Sequence, residues 1–178
     1  MSAQQIIFGL LEFLISILLS FILIFGSYRL LLILSPRFDE ERQLRKKNAS
    51  VGIVLGGILL GEAIVVKQAL YPMMAVIQLF VVGQEKNFGN FALAVLYSLG
   101  YVLIAGVLAI GCIFFSFWMF NLLTPRINQY QEIQDNNLGI ALFMALFIIA
   151  VCLLMSSGIS GLVRALIPFP EIGSVPLG

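Results

Sequence analysis

The sequence predicts an all-α membrane protein with four transmembrane helices, laid out as two parallel tandem helical hairpins with short interfacial or re-entrant segments on the outer face. Composition is the first reason. Of 178 residues, 61% are apolar and only 11% charged, and the mean hydropathy is +1.06. A soluble domain sits near half apolar and a quarter charged. Repetition is the second. The stretch SPRFDEERQLRKKN, Ser35 to Asn48, returns in outline as TPRINQYQEIQDNN, Thr124 to Asn137.

The spans follow from where the charges are missing. Ile6–Leu34 carries only Glu12 and Arg29, and Ala49–Val66 carries only Glu62. Phe91–Leu123 and Leu138–Gly158 carry none. A crossing helix needs about 20 mostly apolar residues, so each run is a candidate span. The first run reaches about 44 Å as a helix, longer than the hydrocarbon core, so tilt or projection must absorb the surplus. The leader MSAQQ has no positive charge, and the run behind it exceeds a signal core of about 7–15 residues, so it reads as a mature span.

Setting Ser35 on Thr124 also puts Pro36 on Pro125, Arg37 on Arg126 and Asn48 on Asn137 without a gap. The chain divides accordingly into 1–89 and 90–178. Two spans per half is an even number, so both halves enter from one side and relate by an axis along the membrane normal. Ser35 and Thr124 read as N-caps with Pro36 and Pro125 at the first helical position. Asp39, Glu40 and Glu41 come early and Arg45, Lys46 and Lys47 late, which suits the helix dipole, and Glu41–Arg45 has i,i+4 spacing. One unbroken helix is predicted from Pro36 into the bilayer, and another from Pro125. Two remnants, Ala69–Gly83 and Ile159–Pro170, are apolar, broken by Pro or Gly and short. They read as interfacial half-helices or re-entrant segments on the outer face.

Both polar connections fall on one face, with Arg37, Arg42, Arg45, Lys46, Lys47 and Arg126. Lys67, Lys86 and Arg164 fall on the other. Basic short loops face the cytoplasm, so both termini are predicted outside it. Tyr28, Phe117 and Trp118 form an inner aromatic belt.

Lipid gives no hydrophobic drive for helix association, so small residues must let helices approach. Gly52 with Gly56 and Gly57 with Gly61 supply such spacing in the second span. Ala141 and Ala145 do so in the fourth, and Gly100, Gly106 and Gly111 in the third. One face of the second span is read as Asn48, Gly52, Leu55, Leu59, Glu62 and Val66. The matching face of the fourth is Asn137, Ala141, Met144, Ile148, Val151 and Met155.

The candidate polar site is Glu62, Glu12, Asn48 and Asn137. Intramembrane carboxylates cost about 3 kcal/mol at a helix centre and usually face protein or water. Glu62 is placed about seven residues from the outer end of its span. Its alternatives are pairing with Lys67 or Arg164, or snorkelling outward. Asn48 and Asn137 serve either as interhelical hydrogen bonds that fix register or as a polar entry to a pathway. The first connection nets +2 and the second −1, so the two are expected to meet. Arg37, Arg42, Arg45, Lys46 and Lys47 form a candidate contact for a partner or for lipid headgroups.

No enzyme is expected, since the chain has no His, no metal-ligand cluster and no phosphate loop. No cofactor and no nucleic-acid partner are expected at a net charge of +1. Cys112 and Cys152 lie in apolar runs and read as small packing residues.

The duplicated pattern [S/T]-P-x(11)-N, leading into a Gly/Ala-rich span, resembles the YjfL-like bacterial membrane proteins, a family known as domain of unknown function 350. Asn48-Ala49 keeps the small residue common after the family's amide, and Asn137-Leu138 departs from it. The resemblance implies a multi-pass protein of the bacterial inner (plasma) membrane in an envelope-stress setting. Two functions then compete. One is an oligomeric membrane scaffold whose cytoplasmic connections recruit a peripheral protein. The other is a small ion channel or transporter with a pathway past Glu62.

Overall fold

A computed structural model describes residues 6, 9–10, 13–14, 16–18, 20–22, 24–25, 40–82 and 88–166. Glu12, Tyr28, Ser35, Pro36, Arg37, Asp39, Lys86 and the Arg164 side chain lie outside the described residues or side chains. The described residues of the first run are all helical. After them come α1 (Glu40–Arg45), α2 (Ala49–Val82), α3 (Phe88–Leu123), α4 (Gln129–Gln134) and α5 (Leu138–Leu166). Three of these, α2, α3 and α5, are long and apolar enough to cross a membrane.

Helix directions follow from the contacts. On α2 and α5, Gly57 lies against Ala145 and Gly61 against Cys152, so the two run parallel. Phe120 of α3 packs on Phe143 and Phe147 of α5, at centroid separations of 5.4 and 5.8 Å. Cys112 of α3 lies 3.8 Å from Met155. Numbers that rise on one helix fall on the other, so α3 and α5 are antiparallel. The start of α2, the end of α3 and the start of α5 therefore share one face of the bundle.

The polar connections differ from the sequence expectation in an informative way. Neither is the first part of an unbroken helix. Short α1 ends in a turn at Lys46–Lys47 before α2 begins, and short α4 ends in a turn at Asp135–Asn136 before α5 begins. Lys47 and Asn136 hold φ of 61° and 60°, a left-handed conformation that stops a helix. Asn48 N–H donates to the Gln43 carbonyl and Lys47 N–H to that of Leu44; Asn137 N–H donates to Glu132 and Asn136 N–H to Ile133. This is the Schellman closure in both turns, 89 residues apart at every atom pair.

Thr124 and Pro125 do not start a helix either. Thr124 closes α3, donating its N–H and Oγ1 to the Phe120 carbonyl. The Ile127 N–H then donates to the Thr124 carbonyl, so Pro125 stands at the second position of a turn, where its fixed φ also fits. The N-cap of α4 is Asn128, whose side chain accepts from the Gln131 N–H.

The outer-face segments are likewise corrected. Ala69–Val82 continues α2, with Pro72 inside it. Ile159–Leu166 continues α5. Pro72 removes one backbone donor, yet breaking the helix in lipid would expose far more unpaired backbone. At 34, 36 and 29 residues, the three long helices reach about 51, 54 and 44 Å.

Packing selects different small residues from those expected. A Cβ on Gly57 would meet the Ala145 backbone at 2.7 Å, and one on Gly61 would meet Cys152 Sγ at 2.9 Å. Gly56 and Gly111 face open space, and Gly52 meets only Leu44. The α2 core face reads Val51, Val54, Ile58, Glu62, Val65, Val66, Ala69, Met73 and Val76, so Glu62 and Val66 of the expected face are buried and Gly52, Leu55 and Leu59 are not. On α3 the buried small residues are Ala94, Ala105 and Ala109, so alanine does there what glycine was expected to do. On α5, Ala141, Met144, Ala145, Ile148 and Val151 are buried while Met155 is exposed.

Candidate functional site

Glu62 is the chemically distinctive residue of the bundle. It is 1% exposed, which excludes a side chain spread toward the lipid face. It stands 13 residues into α2 and 20 before its end. That corrects its depth: it lies near the middle of a long helix, about 20 Å from Ala49, because α2 does not stop at Val66. The sequence next to it explains the burial. Gly61 brings the backbone against Cys152 and Ile148, and the neighbouring position is drawn into the same interior.

A cavity of about 220 Å³ has Glu62 in its lining. Ser20 and Ile24 of the first run line it together with Glu62, Ala63, Val66, Lys67 and Leu70 of α2. The lining is apolar apart from a hydroxyl, a carboxylate and an ammonium. Lys67 is exposed, so a buried carboxyl group and a surface amine belong to one lining. Such a chamber is large enough for several waters.

The second polar centre lies at the bundle face where α2 and α5 begin. Asn48 is buried. Its Nδ2 donates to the carbonyls of Ile133 (2.9 Å) and Gln134 (3.0 Å), and its Oδ1 accepts from Val51 N–H. One amide thus caps the start of α2 and the end of α4. Asn136 returns the contact, with Oδ1 accepting from Ser50 N–H at 3.1 Å. The two connections meet through these amides. Asn137 is exposed, and its Oδ1 caps α5 by accepting from Gly139 and Ile140 N–H. Each Asn also reaches back to the same place in the preceding short helix: Asn48 Nδ2 to Gln43 Oε1 and Asn137 Nδ2 to Glu132 Oε2. Asn48 and Asn137 are therefore helix caps at the membrane entry, and neither touches the Glu62 cavity.

Sequence reasoning missed the exposed Asn136 and two buried polar residues, Ser50 and Gln129. Asn136 carried a signal, because asparagine tolerates the left-handed turn. Ser50 and Gln129 carried none. The Gln129 amide has no hydrogen-bond partner among the described residues, and such burial costs about 1–3 kcal/mol. Gln129→Met is accordingly expected to leave stability unchanged or to raise it by about 1 kcal/mol, read as the thermal unfolding midpoint; a fall of that size would mean that the amide is satisfied by ordered water.

Arg42, Arg45, Lys46 and Lys47 are exposed at the first turn, away from Glu62. Cys112 and Cys152 are free and buried. Among the described residues, no group of three or more His, Cys, Asp or Glu side chains is arranged to hold a metal ion.

No curated protein matches the chain, and no solved structure does. One family model matches, over residues 5–159, a stretch that takes in α1, α2, α3, α4 and most of α5. The chain belongs to the family described as Domain of Unknown Function (DUF350).

Proposed function

We propose that this integral membrane protein is a small conduit, a channel or transporter for protons or small cations, whose pathway passes Glu62. One observation carries the reading: a carboxylate 1% exposed at mid-helix, lining a cavity of about 220 Å³ with Ser20 and Lys67. A carboxylate in that position is expensive, and its retention there suits a group that takes up and releases a proton or cation during turnover. The protein is non-enzymatic on this reading.

Its architecture is proposed as four spans, made by tandem duplication of one hairpin over 1–89 and 90–178, as in the YjfL-like proteins. The 89-residue match of the two Schellman turns supports that origin. The seat is the bacterial inner membrane, with the turns in the cytoplasm and both termini outside. A homo-oligomer fits so small a bundle. The oligomeric scaffold rests on the exposed basic turn at Arg42–Lys47 and, for its envelope-stress setting, on family resemblance, whereas the conduit has the Glu62 cavity behind it.

The test is flux in liposomes. Glu62→Gln keeps shape and removes the charge, so it is expected to abolish proton or cation flux while the unfolding midpoint holds. Wild-type flux through folded Glu62→Gln protein rejects the mechanism.

A further inference from the structure

The two membrane-entry turns use the same backbone hydrogen bonds but different side chains. The second turn spells Gln134, Asp135, Asn136, and places asparagine at the left-handed position. The first spells Arg45, Lys46, Lys47, and holds a lysine there at φ 61°. A long L side chain is disfavoured in that conformation, where Gly or Asn is the usual choice. The turn itself therefore requires no cation, as its counterpart demonstrates, and Lys47 is held against the local preference.

Nothing inside the fold accounts for the charges. Arg45, Lys46 and Lys47 are all exposed, and among the described residues no side-chain hydrogen bond or ion pair engages them. Glu41, the described acid nearest in sequence, is also exposed and stands one helical turn before Arg45. Lys47 lies two residues before Ala49, where α2 begins, and α2 then runs without charge to Glu62. The three cations thus immediately precede a long apolar helix, and the end of a crossing helix is where basic side chains meet lipid phosphates.

We propose that Arg45, Lys46 and Lys47 bind the phosphate of an anionic phospholipid headgroup at the entry of α2. The site is separate from the Glu62 cavity and stands whether or not the protein conducts. The lipid anchors the first hairpin at a fixed depth, while the second hairpin, lacking the bases, has no such anchor.

The experiment compares phosphatidylglycerol with phosphatidylcholine carried by the purified full-length protein, counted by native mass spectrometry, with inorganic phosphate added in a parallel arm. Wild-type protein is expected to retain phosphatidylglycerol preferentially. Each base removed should cost about fivefold in that preference. Arg126→Gln in the second connection should change nothing. Lys47→Gly is decisive because its two effects have opposite signs: the thermal midpoint rises as the strained conformation is relieved, while lipid preference falls. The proposal is overturned if Arg45→Gln, Lys46→Gln and Lys47→Gly together leave the preference intact, even if that variant loses capture of a cytoplasmic protein. It is equally overturned if free phosphate competes as well as the lipid, or if Lys47→Gly lowers the midpoint.

Discussion

Replacing Gly57 with alanine is expected to destabilise the bundle by about 1–3 kcal/mol, and replacing it with leucine by more. The added Cβ would lie 2.7 Å from both Cα and Cβ of Ala145 and 3.1 Å from its carbonyl oxygen. Two of those atoms are backbone and cannot swing aside, so α2 and α5 must separate. Separation costs dispersion along the whole crossing, the main attraction between helices in lipid. The control is the next residue. Gly56 meets nothing within 4 Å, so Gly56→Ala should be neutral or should gain up to about 1 kcal/mol from helix propensity. Gly61→Ala should fall between them, because the atoms in its way, Cys152 Sγ at 2.9 Å and Ile148 Cγ2 at 3.2 Å, belong to side chains and not to the backbone. Unfolding midpoints in lipid nanodiscs measure all three. Equal losses at Gly56 and Gly57 would contradict the crossing described above.

Asn48→Ala is expected to cost about 2–4 kcal/mol, counting the lost cap and the two lost bonds to the second connection. The Gln134 carbonyl loses its donor from Asn48, whereas that of Ile133 keeps the Asn136 N–H. Asn48→Asp should do worse than alanine. It retains an acceptor for Val51 N–H but turns an oxygen toward two carbonyl oxygens. Asn137→Ala removes a cap at an exposed position, and the loss should stay near 1 kcal/mol. The contrast between two asparagines that look equivalent in sequence is what the midpoints must reproduce. A loss at Asn137 as large as that at Asn48 would show that the cross-connection bonds contribute little.

The membrane class was legible because charge is missing in long runs, and no fine geometry is needed to read that. The boundaries were less so. The sequence reading places the N-caps at Ser35 and Thr124, whereas Asn48 and Asn137 cap the long helices. A left-handed residue decides the matter, and Lys47 gives no hint of one. The expected α2 face runs one position off the buried one over the first turns, with Gly52, Leu55 and Leu59 where Val51, Val54 and Ile58 are buried, and coincides with it at Asn48, Glu62 and Val66. Pro72 suggested an end because helix-breaking is learned from water, where a freed carbonyl has other donors. Glu62 stood out by charge alone, but its depth depended on the true length of α2.

The length of α3 has one more consequence. Its 36 residues from Phe88 to Leu123 carry no charge, and even a lean of 40° leaves an apolar height of about 41 Å against a core of about 30 Å. Lipids beside it must stretch or leave greasy surface wet, and either choice stores elastic strain in the surrounding leaflet. That strain shrinks when two copies share one rim, and it shrinks again where acyl chains are long. Thickness of the host bilayer is therefore a variable to which this protein is mechanically coupled.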